Sequence, residues 1–215
     1  MKATTKRPVG RPRDDERTAA RQEEILKTAT AVFAVYGYRN TDVQVIADMA
    51  GIGKGTVYRY FPTKQDLFFA AVDRGLQRLE KQVLSDRADV ADPIEKMMAS
   101  VRSFFKFFEE NSELVELFVQ ERSEFKDRPK PSYYVYKGKN VEPWHEIFRQ
   151  LMKEGRVREM DADSVFDFLM DAMYGTIFMH YFARREKPLS ERTEDVLKIL
   201  FTGVLTEAEQ RRHSN

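Results

Sequence analysis

Two short apolar stretches lie back to back in the first third of the chain. One is Val43, Ile46, Ala47 and Ala50; the other runs from Gly53 to Tyr60. Only Gly51 and Ile52 separate them. Gly51 permits positive φ and so ends the first helix sharply. Ile52 is an apolar plug that fixes the angle between the two helices. Pro62 stops the second helix before it can lengthen. Two helices joined by a turn of three or four residues containing glycine form a helix-turn-helix, a unit that places its second helix in a major groove.

The rest of the chain also reads at helical period, and strand signals are scarce. Ile25, Leu26, Ala29, Val32, Phe33 and Tyr36 form one helix face, and Gly37 ends that helix in a left-handed conformation. Thr41 or Asp42 can cap the second helix. Thr63 can cap a fourth, which runs through Leu67, Phe68, Ala71, Val72 and Leu76 to about Leu84. The polar segment 85–93 ends in Asp92-Pro93, a helix start. Further helices are expected at about 93–110, 113–126, 142–154, 161–185 and 190–211. A break at Arg128–Pro131 is followed by the aromatic stretch Tyr133, Tyr134 and Tyr136. The expected fold is all-α. Its parts are a basic arm (1–16), a three-helix head (17–63), a connecting helix (64–84) and a larger helical domain (85–215).

The formal charge of the 215 residues is only +1, but it is unevenly distributed. Residues 1–75 carry 13 basic and 9 acidic side chains, and residues 76–215 carry 23 and 26. A basic head beside an acidic remainder points to an anionic partner at one end. Other classes find no support. The chain has no cysteine, which excludes a disulfide scaffold and thiolate-bound zinc. No apolar leader is visible, and the apolar segment 165–183 is interrupted by Asp167, Asp171 and His180. A cytoplasmic protein with no membrane span is therefore expected. His145 and His180 lack metal spacing and are given structural or surface roles. No phosphate loop and no nucleophile–base motif is present. The expectation is no enzyme, no catalytic residue, no metal and no cofactor.

The helix after Gly53 presents free N–H groups and Lys54 to phosphates or base edges. Gly55 leaves room for the DNA backbone. The motif Ile25-Leu26-x-x-Ala29-x-x-x-Phe33-x-x-x-Gly37-Tyr38, followed by Val45-Ile46-Ala47-x-x-Ala50-Gly51-Ile52-Gly53-Lys54-Gly55-Thr56-Val57-Tyr58-Arg59-Tyr60-Phe61-x-x-Lys64-x-x-Leu67, resembles the DNA-binding domain of TetR-family transcriptional regulators. The resemblance implies a homodimer that docks Gly53–Tyr60 in the major groove of a double-stranded operator. It implies base or phosphate contacts from Lys54, Gly55 and Thr56, and backbone contacts from Tyr58, Tyr60 and Lys64. Gln44 can reach a base edge, where its amide suits adenine. Arg59 and Thr41 are further candidates, Thr41 doubling as a cap. The family usually has Ser or Thr where this chain has Gly53, so one hydroxyl contact is missing. Ahead of the head, Lys6-Arg7-Pro8-Val9-Gly10-Arg11-Pro12-Arg13 resembles an AT-hook. Its prolines are expected to keep it extended, with Arg11 and Arg13 reaching the minor groove.

Of 26 aromatic residues, 18 lie after residue 90, as do seven of nine methionines. Such a surplus suits a pocket for an apolar or aromatic effector. The candidate lining is Phe104, Phe108, Phe118, Tyr133, Trp144, Phe148, Met152, Phe168, Met173 and Tyr174. Asp167 and Asp171 are either an exposed strip or an acid pair for a cationic group. The helix at 161–185 is apolar nearly all round, so it needs partners on two sides. The final helix offers Val196, Ile199, Leu200, Gly203 and Val204. Together these two helices are the expected dimer interface. The function expected is a repressor released from a pseudo-palindromic operator by an apolar ligand. The alternative is an architectural DNA-binding protein of the same fold without an effector.

Overall fold

The computed structural model describes residues 12–139, 141–184, 187–204 and 206–212. Among these, every regular element is a helix. The chain divides into two compact units at residues 71 and 72, inside one continuous helix.

The first unit contains α1 (Pro12–Asn40), α2 (Val43–Met49), α3 (Lys54–Tyr60) and the start of α4 (Lys64–Asp86). Helix α1 begins earlier than the sequence implied. The segment from Pro12 is helical, not extended, because proline at the first helical position gives up an N–H that would have had no partner anyway. Arg11 and the rest of the arm before it lie outside the described residues, as does the side chain of Arg13. Gly37 breaks α1 with φ 78 and ψ 156, an extended mirror-image conformation open to glycine, not the left-handed helical one expected. Asp42 caps α2, its carboxylate accepting from the Gln44 amide at 2.8 Å. Thr63 and Asp66 cap α4 reciprocally. The Asp66 amide donates to Thr63 Oγ1 at 3.0 Å, and the Thr63 amide and hydroxyl donate to Asp66. Ile25, Phe33, Ile46, Val57, Leu67 and Phe68 are fully buried and make the core of this unit. Phe33 and Phe68 meet edge to face, 5.2 Å between centroids.

The second unit continues α4 and adds α5 (Pro93–Glu110), α6 (Glu113–Glu124), α7 (Ser132–Lys139), α8 (Val141–Lys153), α9 (Ala162–Phe182), α10 (Leu189–Val204) and α11 (Glu207–Arg212). Asp92 starts α5, accepting from the amides of Ile94 and Glu95. Helix α10 packs mainly on α5, and α8 pairs with α9. Arg102 and Glu194 bridge α5 and α10 with two hydrogen bonds, 2.7 and 3.1 Å. Arg156 joins the start of α5 to α11 through Asp92 and Glu209, each at 2.7 Å. Gly75 lets α4 and α6 approach closely; a Cβ there would stand 2.5 Å from a Leu114 methyl. Two expectations fail. The aromatic stretch after Pro131 is a helix, α7, and the last expected helix is two, α10 and α11.

Candidate nucleic-acid interface and effector domain

The N-termini of α2 and α3 converge on one carboxylate. Asp42 accepts from the Gln44 amide and from Lys54 Nζ at 2.7 Å. The Gln44 amide bond and then the Lys54 ammonium hold the Asp42 carboxyl below its usual range, while Asp42 raises Lys54. Gln44 extends its side chain to Asp48 at 2.7 Å. Two candidate base-reading residues, Gln44 and Lys54, therefore stand together, each engaged by an acid of α2 or its cap. Gly53 and Gly55 are exposed, and no Cβ would meet anything within 4 Å at either. Tyr58 and Arg59 are exposed, and Thr56 and Tyr60 half-buried. Arg59 lies over the Tyr60 ring, 5.1 Å from its centroid.

Two candidates sit differently from expectation. Thr41 is only 4% exposed and its hydroxyl donates to the Gly37 carbonyl at 2.7 Å. It secures the turn after α1, and Asp42 is the cap of α2. Lys64 points its ammonium into the end of α1. It donates to the carbonyls of Tyr38 (2.8 Å), Thr41 (3.0 Å) and Arg39 (3.2 Å). The Tyr38 ring lies 4.7 Å away. All three ammonium protons are used within the head, so this lysine holds the turn between α1 and α2.

A cleft that the sequence did not disclose runs between α1 and α3. It is lined by Arg17, Thr18, Arg21, Thr56, Arg59 and Tyr60, with Glu24 beside Arg21. Arg21 pairs with Glu24 at 2.6 Å. Three arginines around one opening make a positive concavity. Arg17 and Arg21 are four apart in sequence, the spacing of one helix face. In sequence that spacing carries meaning only if the helix begins as early as Pro12.

In the second unit the aromatic candidates separate. Phe104, Trp144, Met173 and Tyr174 line a cavity of about 330 Å³ with Leu79, Val83, Arg87, Ser100, Lys137 and Met170. Tyr174 is buried, and its phenol is pushed well above the usual range by that burial. Phe108 and Phe118 are buried core residues whose rings pack in series with Phe104. Tyr133 packs against Phe118 and Tyr174, at 5.5 and 5.1 Å. Met152 is half-buried, and its sulfur accepts from the Met160 amide. Phe148 and Phe168 line a different hollow of about 370 Å³ with Met97, Val165, Leu169, Ile199 and Phe201. This second hollow belongs to an open apolar face, on which Phe168 is 65% and Ile199 72% exposed. Along α9, Phe168, Gly175, Met179 and Phe182 are all exposed and fall on one side. On α10, Val196 and Leu200 are half-buried beside Ile199, and the side chain of Val204 is outside the described residues.

Asp167 and Asp171 are exposed and hold Lys137, at 2.8 and 3.6 Å. They are an acid pair for a lysine of this chain. His145 lies on α8 and His180 on α9. Among the described residues no group of three or more potential ligands could hold a metal ion, and no helix is long and apolar enough to cross a membrane.

Residues 25–71 match the family described as bacterial regulatory proteins, tetR family. The chain is 28% identical over 164 residues to the HTH-type transcriptional repressor KstR2 of Mycobacterium tuberculosis, covering 74% of this chain and 80% of that protein. The solved structure of ketosteroid transcriptional regulator KstR2 from that organism superposes with a TM-score of 0.67 at 25% identity, over 87% of this chain and 96% of the other. FadR of Bacillus subtilis, solved in complex with stearoyl-CoA, shares the fold with a TM-score of 0.69 at 19% identity, over 84% and 98%. The family and these relatives are regulators of transcription and not enzymes. The matched head, the exposed α3 surface and likeness extending through the second unit mark residues 25–71 as a DNA-binding domain of the tetR type and the chain as a DNA-binding transcriptional regulator.

Proposed function

We propose that the chain is a cytoplasmic, homodimeric repressor that leaves its operator when an apolar effector occupies the second unit. The observation that carries the effector is the cavity walled by Phe104, Trp144, Met173 and Tyr174. Its volume of about 330 Å³ is at the lower end of the range for small-molecule sites, roughly 300–1,000 Å³. It is part of this reading that Phe108, Phe118, Tyr133, Phe148 and Met152 support the domain, and that Phe168 serves the dimer. The repressors among its relatives, and a FadR holding stearoyl-CoA, favour a repressor with an apolar ligand over an architectural protein.

On the operator side, α3 enters the major groove with Gly53, Lys54, Gly55, Thr56, Tyr58 and Tyr60. Gln44 reaches from α2, and Arg59 joins Arg17 and Arg21 on flanking phosphates. The internal pairs of Lys54 with Asp42 and Gln44 with Asp48 must loosen for these groups to read DNA. The basic arm with Arg11 and Arg13 follows the adjacent minor groove. Two copies joined through α9 and α10 present two recognition helices to a pseudo-palindrome.

An effector can act only by preferring one of two head spacings. A shift from nearly all bound-competent to nearly none needs about 5 kcal/mol of differential affinity. The route between effector and head is α4, which is continuous from Lys64 to Asp86. The test is operator affinity of the full-length dimer with and without a compound shown to occupy the cavity. Release by that compound supports the reading; occupancy with unchanged affinity overturns it.

A further inference from the structure

The cavity that would hold the effector contains a charge its apolar walls do not explain. Arg87 follows the end of α4 and lines the cavity together with Phe104, Trp144 and Met173. It is half-buried, and its guanidinium donates to Ser100 Oγ at 3.4 Å. Ser100 is itself only 4% exposed, and its hydroxyl proton is spent on the Lys96 carbonyl at 2.8 Å. No carboxylate lies within ion-pairing distance of Arg87 among the described residues. Guanidinium keeps its charge at every relevant pH and carries five N–H donors. One weak bond to a hydroxyl leaves most of them open at the cavity wall.

Of the other charged groups around the cavity, one is paired and one faces solvent. Lys137 lines it too, but Asp167 and Asp171 hold its ammonium from outside. Glu80 lies on α4 and is exposed. Among the described residues it is the one acidic residue of the lining and has no cation within ion-pairing distance. A half-buried arginine beside an apolar chamber costs desolvation unless an anion meets it, and a carboxylate meets it with two parallel bonds.

We infer that the effector is an amphipathic anion, with a carboxylate or comparable head on Arg87 and an apolar body against Phe104, Trp144, Met173 and Tyr174. This rests on the cavity being the effector site and adds the sign of the ligand's charge. It excludes neutral hydrocarbons and cationic amphiphiles as preferred ligands. Glu80 reinforces the choice of head position, since an anion is repelled from the Glu80 side and drawn to the Arg87 side.

The sequence contains a single tryptophan, and Trp144 is in the cavity wall. Its fluorescence in the full-length protein therefore reports on this site alone. Three probes with the same apolar body separate the charge from the greasiness: decanoate, decanol and decyltrimethylammonium. Decanoate is expected to bind at least about tenfold more tightly than either of the others, the factor expected for one charge-assisted hydrogen-bonded pair. Arg87→Gln should remove that advantage while leaving decanol binding unchanged. Glu80→Gln, on an exposed position, should tighten decanoate by about twofold to fivefold, as expected for a screened rim charge. Decanol keeping its affinity in Arg87→Gln shows the cavity intact, and the Glu80 variant gives a second reading if the first fails to fold. Equal binding of decanoate and decanol, or preference for the cation, overturns the anionic effector and leaves the apolar cavity standing. No response to any probe overturns both.

Discussion

Replacing Lys64 with methionine keeps most of the apolar stem and removes the ammonium. That ammonium donates to the carbonyls of Tyr38, Arg39 and Thr41 and faces the Tyr38 ring. A hydrogen bond involving a charged group is worth about 1.5–3 kcal/mol, and a cation–ring contact near the surface about 0.5–1. These do not add, because Lys64 is half-exposed and water replaces part of what is lost. One such bond's worth, about 2 kcal/mol, is the reasonable expectation, and it corresponds to roughly a thirtyfold change in an opening equilibrium. The loss should be local. Amides of the turn around Gly37–Val43, including that of Thr41, which donates to the Gly37 carbonyl, are the ones to follow. Hydrogen exchange of the full-length Lys64→Met protein should quicken there by about that factor, with the second unit unchanged. Operator binding adds an independent readout. A lysine spent inside the head leaves the salt dependence of binding unaltered, whereas a lost phosphate contact makes the log–log slope shallower by about 0.9. Unchanged exchange with a shallower slope would refute the clamp and restore Lys64 to the DNA.

Three further outcomes are expected. Arg17→Gln and Arg21→Gln should each flatten the salt slope of operator binding by about 0.9 without altering half-site preference, as measured on matched and mismatched duplexes. Asp92 is subject to burial, which works upward, but the Arg156 hydrogen bond and the Glu95 and Ile94 amides outweigh it and lower its pKa below 3.8. The stability this confers is present above pH 3.8 and is lost as pH falls towards the lower folded-state value, so Asp92→Asn should lose less of its melting temperature on acidification through that range than the parent does. Gly75→Val should lower the stability of the second unit by about 1–3 kcal/mol in thermal or denaturant melts through its clash with Leu114, and Gly75→Ala by less because alanine regains about 1 kcal/mol of helix propensity.

The head was legible in sequence because its signals are local. Gly51, Ile52 and Gly53 set the turn, Pro62 ends α3, and Ile25 to Tyr36 repeat at helical period. Helix α7 was not, since Tyr133, Tyr134 and Tyr136 follow two prolines and mark no single helix face. Pro12 departs from expectation for a related reason: the same ring that blocks a helix interior suits its first turn. Side-chain roles were harder still. Lys64 carries a motif position, yet the carbonyls it meets lie more than twenty residues away in the chain. Asp167 and Asp171 gain their meaning from Lys137, and Arg87 in a polar linker reads as a solvated charge until the fold turns it to the cavity. Aromatic surplus announced a greasy interior, but which rings face empty space depends on how α4, α5, α8 and α9 meet. The near-zero net charge resolves in the same way. It conceals a positive concavity of Arg17, Arg21 and Arg59 on the first unit.

In the proposed mechanism, α3 of a dimeric protein reads a specific pseudo-palindromic DNA sequence. Selection of bound duplexes from random DNA with the purified full-length protein tests it most directly. Enrichment of two inverted half-sites whose centres are about 34–36 Å apart, or a multiple of that, is expected. Lys54→Ala and Gln44→Ala should weaken binding to that sequence more than to unrelated DNA. Recovery of no common sequence, or equal losses on specific and unrelated DNA, would contradict it.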